Sequence, residues 1–322
     1  MSTMTHTRRG ILGVLPAMAV AERMAAAGSW RPKIGILCRY TEGNIDFARA
    51  EGFRSLELVC NRKSRLDASV VTEEEVEKIR RHISGAGLEV SVLGIPVNHT
   101  AVDLAERARI NDYVGKVIGL AGKMGVPYVA TMSGNMPGRP FQEQVDEIVR
   151  VYQDKYFALC QKHHVRMLWE PWPEGPNVAT GPVGYEALFK AFGNSPYVGI
   201  QFDPSHFVRQ FMDPVACMRE WVDKIYNLHL KDTEIFENVL KRVGINPPNK
   251  ARWWRYRIPG YGSIRWPAIF TILMEAGYQG SMDIEHEDDL YGRQLPDGNF
   301  SEDYKTGFRM GLRYLRQYVP VG

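Results

Sequence analysis

Residues 165–203 read VRMLWEPWPEGPNVATGPVGYEALFKAFGNSPYVGIQFD. An apolar run, VRMLWE (165–170), ends on a carboxylate, a stretch of helical period follows over 184–192, and a second apolar run, YVGIQFD (197–203), ends on another carboxylate. Short apolar runs of this kind suit strands covered on both faces, and the helical stretch between them is the crossover that parallel neighbours require. The segment reads as a βαβ unit whose strand ends carry acid groups.

The alternation continues on both sides of that unit. KIGILC (33–38), SLELVC (55–60), LEVSVLGI (88–95) and PYVATM (127–132) precede it, and IYNLHLKD (225–232) and SMDIEHE (281–287) follow. Helical stretches lie between them over 72–84, 102–124, 141–162 and 266–276, the first opened by Thr72 with Glu75 in capping-box spacing. Gly residues end several of these helices just before the next strand, as in GAG-LEV and KMG-VPY. Eight such pairs predict an α/β fold, a single (β/α)8 TIM barrel over residues 29–322. A long connection from Thr233 to Arg265, rich in aromatics and arginine, forms a loop insert after strand seven that covers the top of the barrel. No GxGxxG follows the first strand, which argues against a dinucleotide-binding fold.

Composition narrows the function. In 322 residues, 40 Lys and Arg against 37 Asp and Glu leave a net charge of only +3, too balanced for the grip that nucleic-acid binding needs. Four scattered cysteines form no CxxC, so neither a zinc knuckle nor a disulfide scaffold is expected. Residues 1–28 carry Arg8-Arg9, an apolar run from Ile11 to Ala21 and a small-residue stretch before Gly28, the grammar of a twin-arginine-type signal peptide. That run is too short for a permanent membrane anchor, which needs about 20 residues. Export to the periplasm or beyond is the expectation; the alternative is a retained amphipathic helix on a cytoplasmic protein.

Barrel enzymes place their reacting groups at the C-terminal ends of strands. Here the last four strands end in Glu170, Asp203, His229 and Glu285. Three carboxylates and an imidazole brought to one rim repel as bare anions, and one divalent cation resolves the repulsion. The O3N set suits Mn2+, and also Mg2+, Co2+ or Zn2+, without choosing among them. A metal on a carbonyl and an adjacent hydroxyl oxygen stabilises the enediolate formed when a carbon-bound proton is lost. Glu170 and Glu285, from different sides of the substrate, are the expected catalytic pair, one taking the proton and one returning it.

The sequence resembles the xylose-isomerase-like TIM barrels, the sugar phosphate isomerase/epimerase group that includes the ketose 3-epimerases. LWEPW around Glu170, QFDPSH around Asp203 and His206, NLHLKD around His229, PGYGSIRW at 259–266 and GYQGSMDIEHED around Glu285 carry the resemblance. It implies that Glu170, Asp203, His229 and Glu285 hold one divalent ion, usually Mn2+, which binds two oxygens of a small carbohydrate. It also implies that His206 positions a substrate oxygen. Barrels of this group often associate into homo-oligomers, although no feature of this sequence demands one.

Further substrate contacts are expected from His99 in the loop after strand three, Glu174 after Glu170, and Trp172 with the Trp253–Tyr256 run as a lid or pocket wall. Arg255 and Arg257 are expected to clamp a carboxylate or hydroxyls. Lys231 reads as an alternate-face or rim charge, and Asp232 as a carboxylate behind the ligands. Two departures stand against a plain ketose epimerase: Ile235 replaces the Arg that those enzymes carry after the ligand His, and Pro176 replaces a Glu. The long insert instead resembles relatives that act on oxidised sugars, by β-elimination of 3-oxo-glycosides or by dehydration of the inosose type. A non-catalytic carbohydrate-binding protein is the competing class. An abasic-site endonuclease is disfavoured, because three zinc ions require about five rim histidines.

Overall fold

The computed structural model describes residues 30–319. The expected signal segment over 1–28 lies outside them. Chain order begins with β1 (Lys33–Cys38), α1 (Glu42–Glu51), β2 (Ser55–Val59), α2 (Glu73–Gly85), β3 (Glu89–Gly94), α3 (Leu104–Met124) and β4 (Tyr128–Thr131). It continues with α4 (Phe141–Lys155), α5 (Phe157–His163), β5 (Arg166–Trp169), α6 (Pro182–Ala191), β6 (Val198–Phe202), α7 (Pro204–Arg209), α8 (Pro214–Trp221) and β7 (Ile225–Leu230). The last part holds β8 (Asp232–Ile235), α9 (Glu237–Val243), β9 (Trp254–Arg257), α10 (Trp266–Glu275), β10 (Ser281–Ile284) and α11 (Glu302–Leu315). β1 to β7 and β10 pair in parallel and close into a TIM barrel, while β8 and β9 form a separate antiparallel hairpin.

The strand and helix boundaries follow local chemistry. Thr72 caps α2 by accepting a hydrogen bond from the Glu75 amide at 3.2 Å, and Gly125 ends α3 at φ 72°, in the left-handed region that favours glycine. The stretch expected as one helix over 141–162 breaks at Tyr156, whose hydroxyl donates to Asn111 Oδ1 at 2.6 Å and lies 2.9 Å from His99 Nδ1. Outward-facing Leu56, Leu58, Met282 and Ile284 pack the main core between barrel and helices. All four cysteines are buried and unpaired. Among the described residues no helix is long and apolar enough to cross a membrane.

The inside of the barrel is divided. Val92, Ala130 and Leu168, from β3 to β5, form a small apolar cluster of their own. The opposite wall is polar and buried. Asp283 accepts from Ser55 Oγ, Ser91 Oγ and Asn227 Nδ2, each at 2.8 Å, and Gln201 Nε2 donates to Glu57 at 2.6 Å and to Asn227 at 2.9 Å. Gly35 is required here, since a Cβ at that position would lie 2.1 Å from both Asp283 Oδ1 and Ser55 Oγ. Register shifts in the sheet fall beside Glu57 and Gln201, where a bulge re-aims a side chain. This column of hydrogen bonds leads upward to His229.

The insert after β7 is structured and fixed. Asp232 accepts from the amides of Thr233 (2.9 Å), Gly260 (3.1 Å) and Ile264 (3.1 Å), and from Trp266 Nε1 (2.9 Å). Its carboxylate is therefore committed to the ends of the insert. The expectation that it backs the ligands is corrected.

Candidate metal centre

Glu170, Asp203 and Glu285 are the first residues past β5, β6 and β10, and His229 lies near the end of β7. The barrel brings these ends to one rim, and each side chain offers a ligand atom within 4.8 Å of the others. His229 Nδ1 is 3.0 Å from Glu285 Oε2, 3.4 Å from Glu170 Oε1 and 3.6 Å from Asp203 Oδ2. His229 Nδ1 and Asp203 Oδ2 are buried without a hydrogen-bond partner. Two orphaned atoms facing each other in an O3N donor set fit a divalent cation.

Electrostatics agree with the geometry. Burial would depress the His229 imidazolium, yet Glu285 and Glu57 hold it well above the ordinary histidine value. The site demands positive charge at Nδ1, which a metal can supply in exchange for the proton. Burial would raise Asp203, but the Lys231 ammonium holds it well below the carboxylate range. Glu170 is likewise kept low against burial by the hydrogen bond from His206 and the nearness of the His229 ring.

The sequence reading passes over one residue of this centre, Glu57, and misplaces another, Lys231. Glu57 Oε2 accepts from His229 Nε2 at 2.9 Å, which leaves Nδ1 as the nitrogen free to bind metal. Burial pushes its carboxyl up to about 7, against the attraction of His229. Lys231 is not a rim charge: its ammonium is buried, 2.5 Å from Glu285 Oε2, 2.9 Å from Glu287 Oε2 and 3.1 Å from Asp203 Oδ2. Strand side chains alternate, so Lys231, two residues past His229, shares its inward face. The attraction of these carboxylates outweighs burial and raises Lys231 well above its ordinary value.

The remaining expected contacts divide. His206 Nε2 lies 3.2 Å from Glu170 Oε1 and 3.3 Å from Asp203 Oδ2, within the centre. Trp172 is half-buried in the loop after β5, against Gly175, where a Cβ would meet its ring at 2.7 Å. His99 is corrected: it is fully buried, with Nδ1 on Tyr156 and Nε2 on Thr131 Oγ1, both at 2.9 Å, so neither nitrogen is free for substrate. Arg255 and Arg257 do not form a free clamp. Arg255 pairs with Glu234 at 2.8 Å, and Arg257 pairs with Glu234 and with Asp288 at 2.7 Å, which fastens the hairpin. Glu174 is exposed and pairs with Arg209 at 2.9 Å.

His99 also carries a stability prediction. Burial presses its pKa down to about 3, and that of the buried His286 to about 4. In the unfolded chain both titrate near the ordinary value of about 6.5. Below that value the unfolded chain takes up protons that the folded chain refuses, so stability falls as pH drops from about 6.5 towards 4. At about pH 5 the loss is about 2 kcal/mol for each histidine. Urea unfolding at neutral and acid pH measures it; a His99→Gln variant loses its share of the slope, and an unchanged slope in that variant would refute the assignment.

The profile of the family described as "Xylose isomerase-like TIM barrel" matches residues 45–318. The uncharacterized protein YfiH of Bacillus subtilis (strain 168) is 26% identical over 286 residues, covering 77% of this chain and 88% of that protein. An inosose dehydratase of Bacillus thuringiensis (strain Al Hakam) is 28% identical over 236 residues, 69% of this chain and 74% of that protein. Other inosose dehydratases match over a shorter stretch, as in Clostridium tetani (strain Massachusetts / E88), where the 93 matched residues are 31% of that protein. Among solved structures, D-psicose 3-epimerase in the presence of D-fructose superposes with a TM-score of 0.67 at 17% identity, covering 90% of this chain and 100% of that one. The IOLI protein with a bound zinc atom gives 0.67 at 15% identity, again covering 90% and 100%. These structural likenesses show the fold. With all four candidate ligands inside the matched residues, the chain belongs to the xylose isomerase-like TIM barrel family.

Proposed function

We propose that the protein is a divalent-metal-dependent carbohydrate enzyme of the isomerase and epimerase type, which removes a proton from the carbon beside a sugar carbonyl. The convergence of Glu170, Asp203, His229 and Glu285, with the orphaned Nδ1 and Oδ2 atoms among them, carries this reading. Mn2+ is the first candidate on the family resemblance, with Mg2+, Co2+ and Zn2+ also suited to three oxygens and one nitrogen; the IOLI relative in fold carries zinc. When bound, the ion supplies Lewis-acid polarisation of the carbonyl and a template for two substrate oxygens.

The chain's own groups do the rest. Glu170 and Glu285 reach the centre from β5 and β10, which are separated in the barrel by β6 and β7, so they flank a sugar from two sides. One carboxylate oxygen takes the carbon-bound proton, and the other carboxyl returns a proton to the opposite face. His206 and Trp172 contact the sugar at the rim. The twin-arginine pattern at Arg8-Arg9 supports work in the periplasm or the exterior, with a cytoplasmic protein as the alternative.

A second reading, elimination of water or an aglycone, is favoured by the 28% identity to an inosose dehydratase over 69% of the chain, and by Ile235 and Pro176 in place of epimerase residues. Its first step is the same proton loss; only the fate of the intermediate differs. The test is a screen of Mn2+-loaded protein in deuterated water with free ketoses, inososes and 3-oxo-glycosides, followed by NMR. Deuterium gained with the skeleton intact supports isomerase or epimerase chemistry, and release of water or an aglycone supports the lyase. Sugar binding with neither outcome identifies a non-catalytic binding protein and overturns the proposal.

A further inference from the structure

We infer that Tyr256, carried into the rim by the hairpin insert, is a positioning residue that fixes His206 as the Nε2–H tautomer, so that this imidazole can only donate toward the metal centre. The chain of contacts is Arg209 Nη1 to Tyr256 Oη at 3.0 Å, Oη to His206 Nδ1 at 2.9 Å, and His206 Nε2 to Glu170 Oε1 at 3.2 Å and Asp203 Oδ2 at 3.3 Å. All three residues of the relay are buried.

Each end of the chain has a fixed direction. A guanidinium has donors and no acceptor, so Tyr256 Oη accepts from Arg209. The single phenol hydrogen must then go to the remaining neighbour, His206 Nδ1, which therefore carries no hydrogen. At the other end, the Glu170 carboxylate oxygen only accepts, so Nε2 carries the hydrogen. The opposite tautomer would strand a buried phenol hydrogen and set a bare nitrogen against two carboxylates.

The hairpin is built to hold Tyr256 in that place. Arg257, next in β9, is tied to Asp288 at 2.7 Å, and Asp232 ties down Gly260, Ile264 and Trp266 where the insert returns to the barrel. Trp254 stacks its edge on Tyr256 at 4.8 Å and lies under the Arg209 guanidinium at 4.3 Å. The insert thus reaches the chemistry through one hydroxyl. A substrate oxygen taken by His206 must accept a hydrogen bond, and no substrate proton can pass to Nδ1.

The catalytic consequence rests on the proposed function, whereas the tautomer does not. The experiment is long-range 1H–15N NMR of ring-15N-histidine protein at neutral pH, metal-free and zinc-loaded, for wild type, Tyr256→Phe and Arg209→Met. Wild type shows His206 as Nε2–H. Tyr256→Phe keeps the ring and its packing but raises the Nδ1–H fraction about tenfold, the scale of one lost hydrogen bond. Its zinc affinity changes by less than the roughly tenfold expected for losing a ligand's direct partner. Arg209→Met, which frees the phenol to turn, moves the tautomer in the same direction. A wild type with hydrogen on Nδ1, or a Tyr256→Phe spectrum with His206 unchanged, overturns the inference. A wild type that shows the Nε2–H form but binds no zinc supports the tautomer and refutes the metal-dependent function.

Discussion

Asp203→Ala protein binds Mn2+ or Zn2+ about a hundred- to several-thousandfold more weakly than wild type in calorimetry. Asp203 is fully buried; Oδ1 accepts from the Ser205 amide at 2.8 Å, and Oδ2 has no hydrogen bond of its own. Removing it deletes a ligand and leaves His229 Nδ1 and Lys231 with less compensating charge. Breaking a buried charged pair costs about 3–5 kcal/mol, which sets the expected loss. Metal added at about a hundred times its Kd should stabilise wild type by about 2.7 kcal/mol against unfolding and leave the variant unmoved. Equal affinity in the two proteins would place the metal elsewhere and remove the basis of the proposed function.

What was legible in the sequence follows the reach of strand periodicity. The eight barrel strands appear as apolar runs because parallel strands covered by helices are buried on both faces, and their ends show Glu170, Asp203, His229 and Glu285 because the fold displays whatever ends a strand. The polar interior was also written there. Ser55 and Glu57, Asn227, His229 and Lys231, and Ser281, Asp283, Glu285 and Glu287 each recur at every second residue, which puts each set on one face. Reading Lys231 as an outer charge ignored that period. Glu57 was overlooked because it lies inside its strand, not at the end. Loop residues have no such rule. The direction of His99 in its loop, and of Arg255 and Arg257 on the insert hairpin, depends on how those segments fold back, and burial or a neighbouring acid claimed each of them.

Glu170→Gln and Glu285→Gln each reduce turnover by at least about a thousandfold while retaining metal. The substitution keeps the size of the side chain and an oxygen that can still bind a cation, but an amide cannot accept the carbon-bound proton at neutral pH. Loss of a positioned acid–base group is worth about 10²–10⁴ in rate, and each glutamate here also loses its charge beside the substrate. The surroundings should hold both amides in the glutamate pose. In Glu170→Gln the amide oxygen can accept from His206 Nε2, 3.2 Å from Oε1, and in Glu285→Gln it can accept from Lys231 Nζ, 2.5 Å from Oε2. The two variants also separate the outcomes of the reaction. An epimerase needs both groups, one for each face, so each variant loses interconversion and the exchange of the epimer whose face its own glutamate serves, while the other epimer still exchanges. A lyase can keep proton abstraction with one of them and lose only departure of the leaving group with the other. Deuterium incorporation at the carbon beside the carbonyl, measured with metal content confirmed for each protein, distinguishes these cases. Wild-type exchange in both variants would show that neither glutamate is the base.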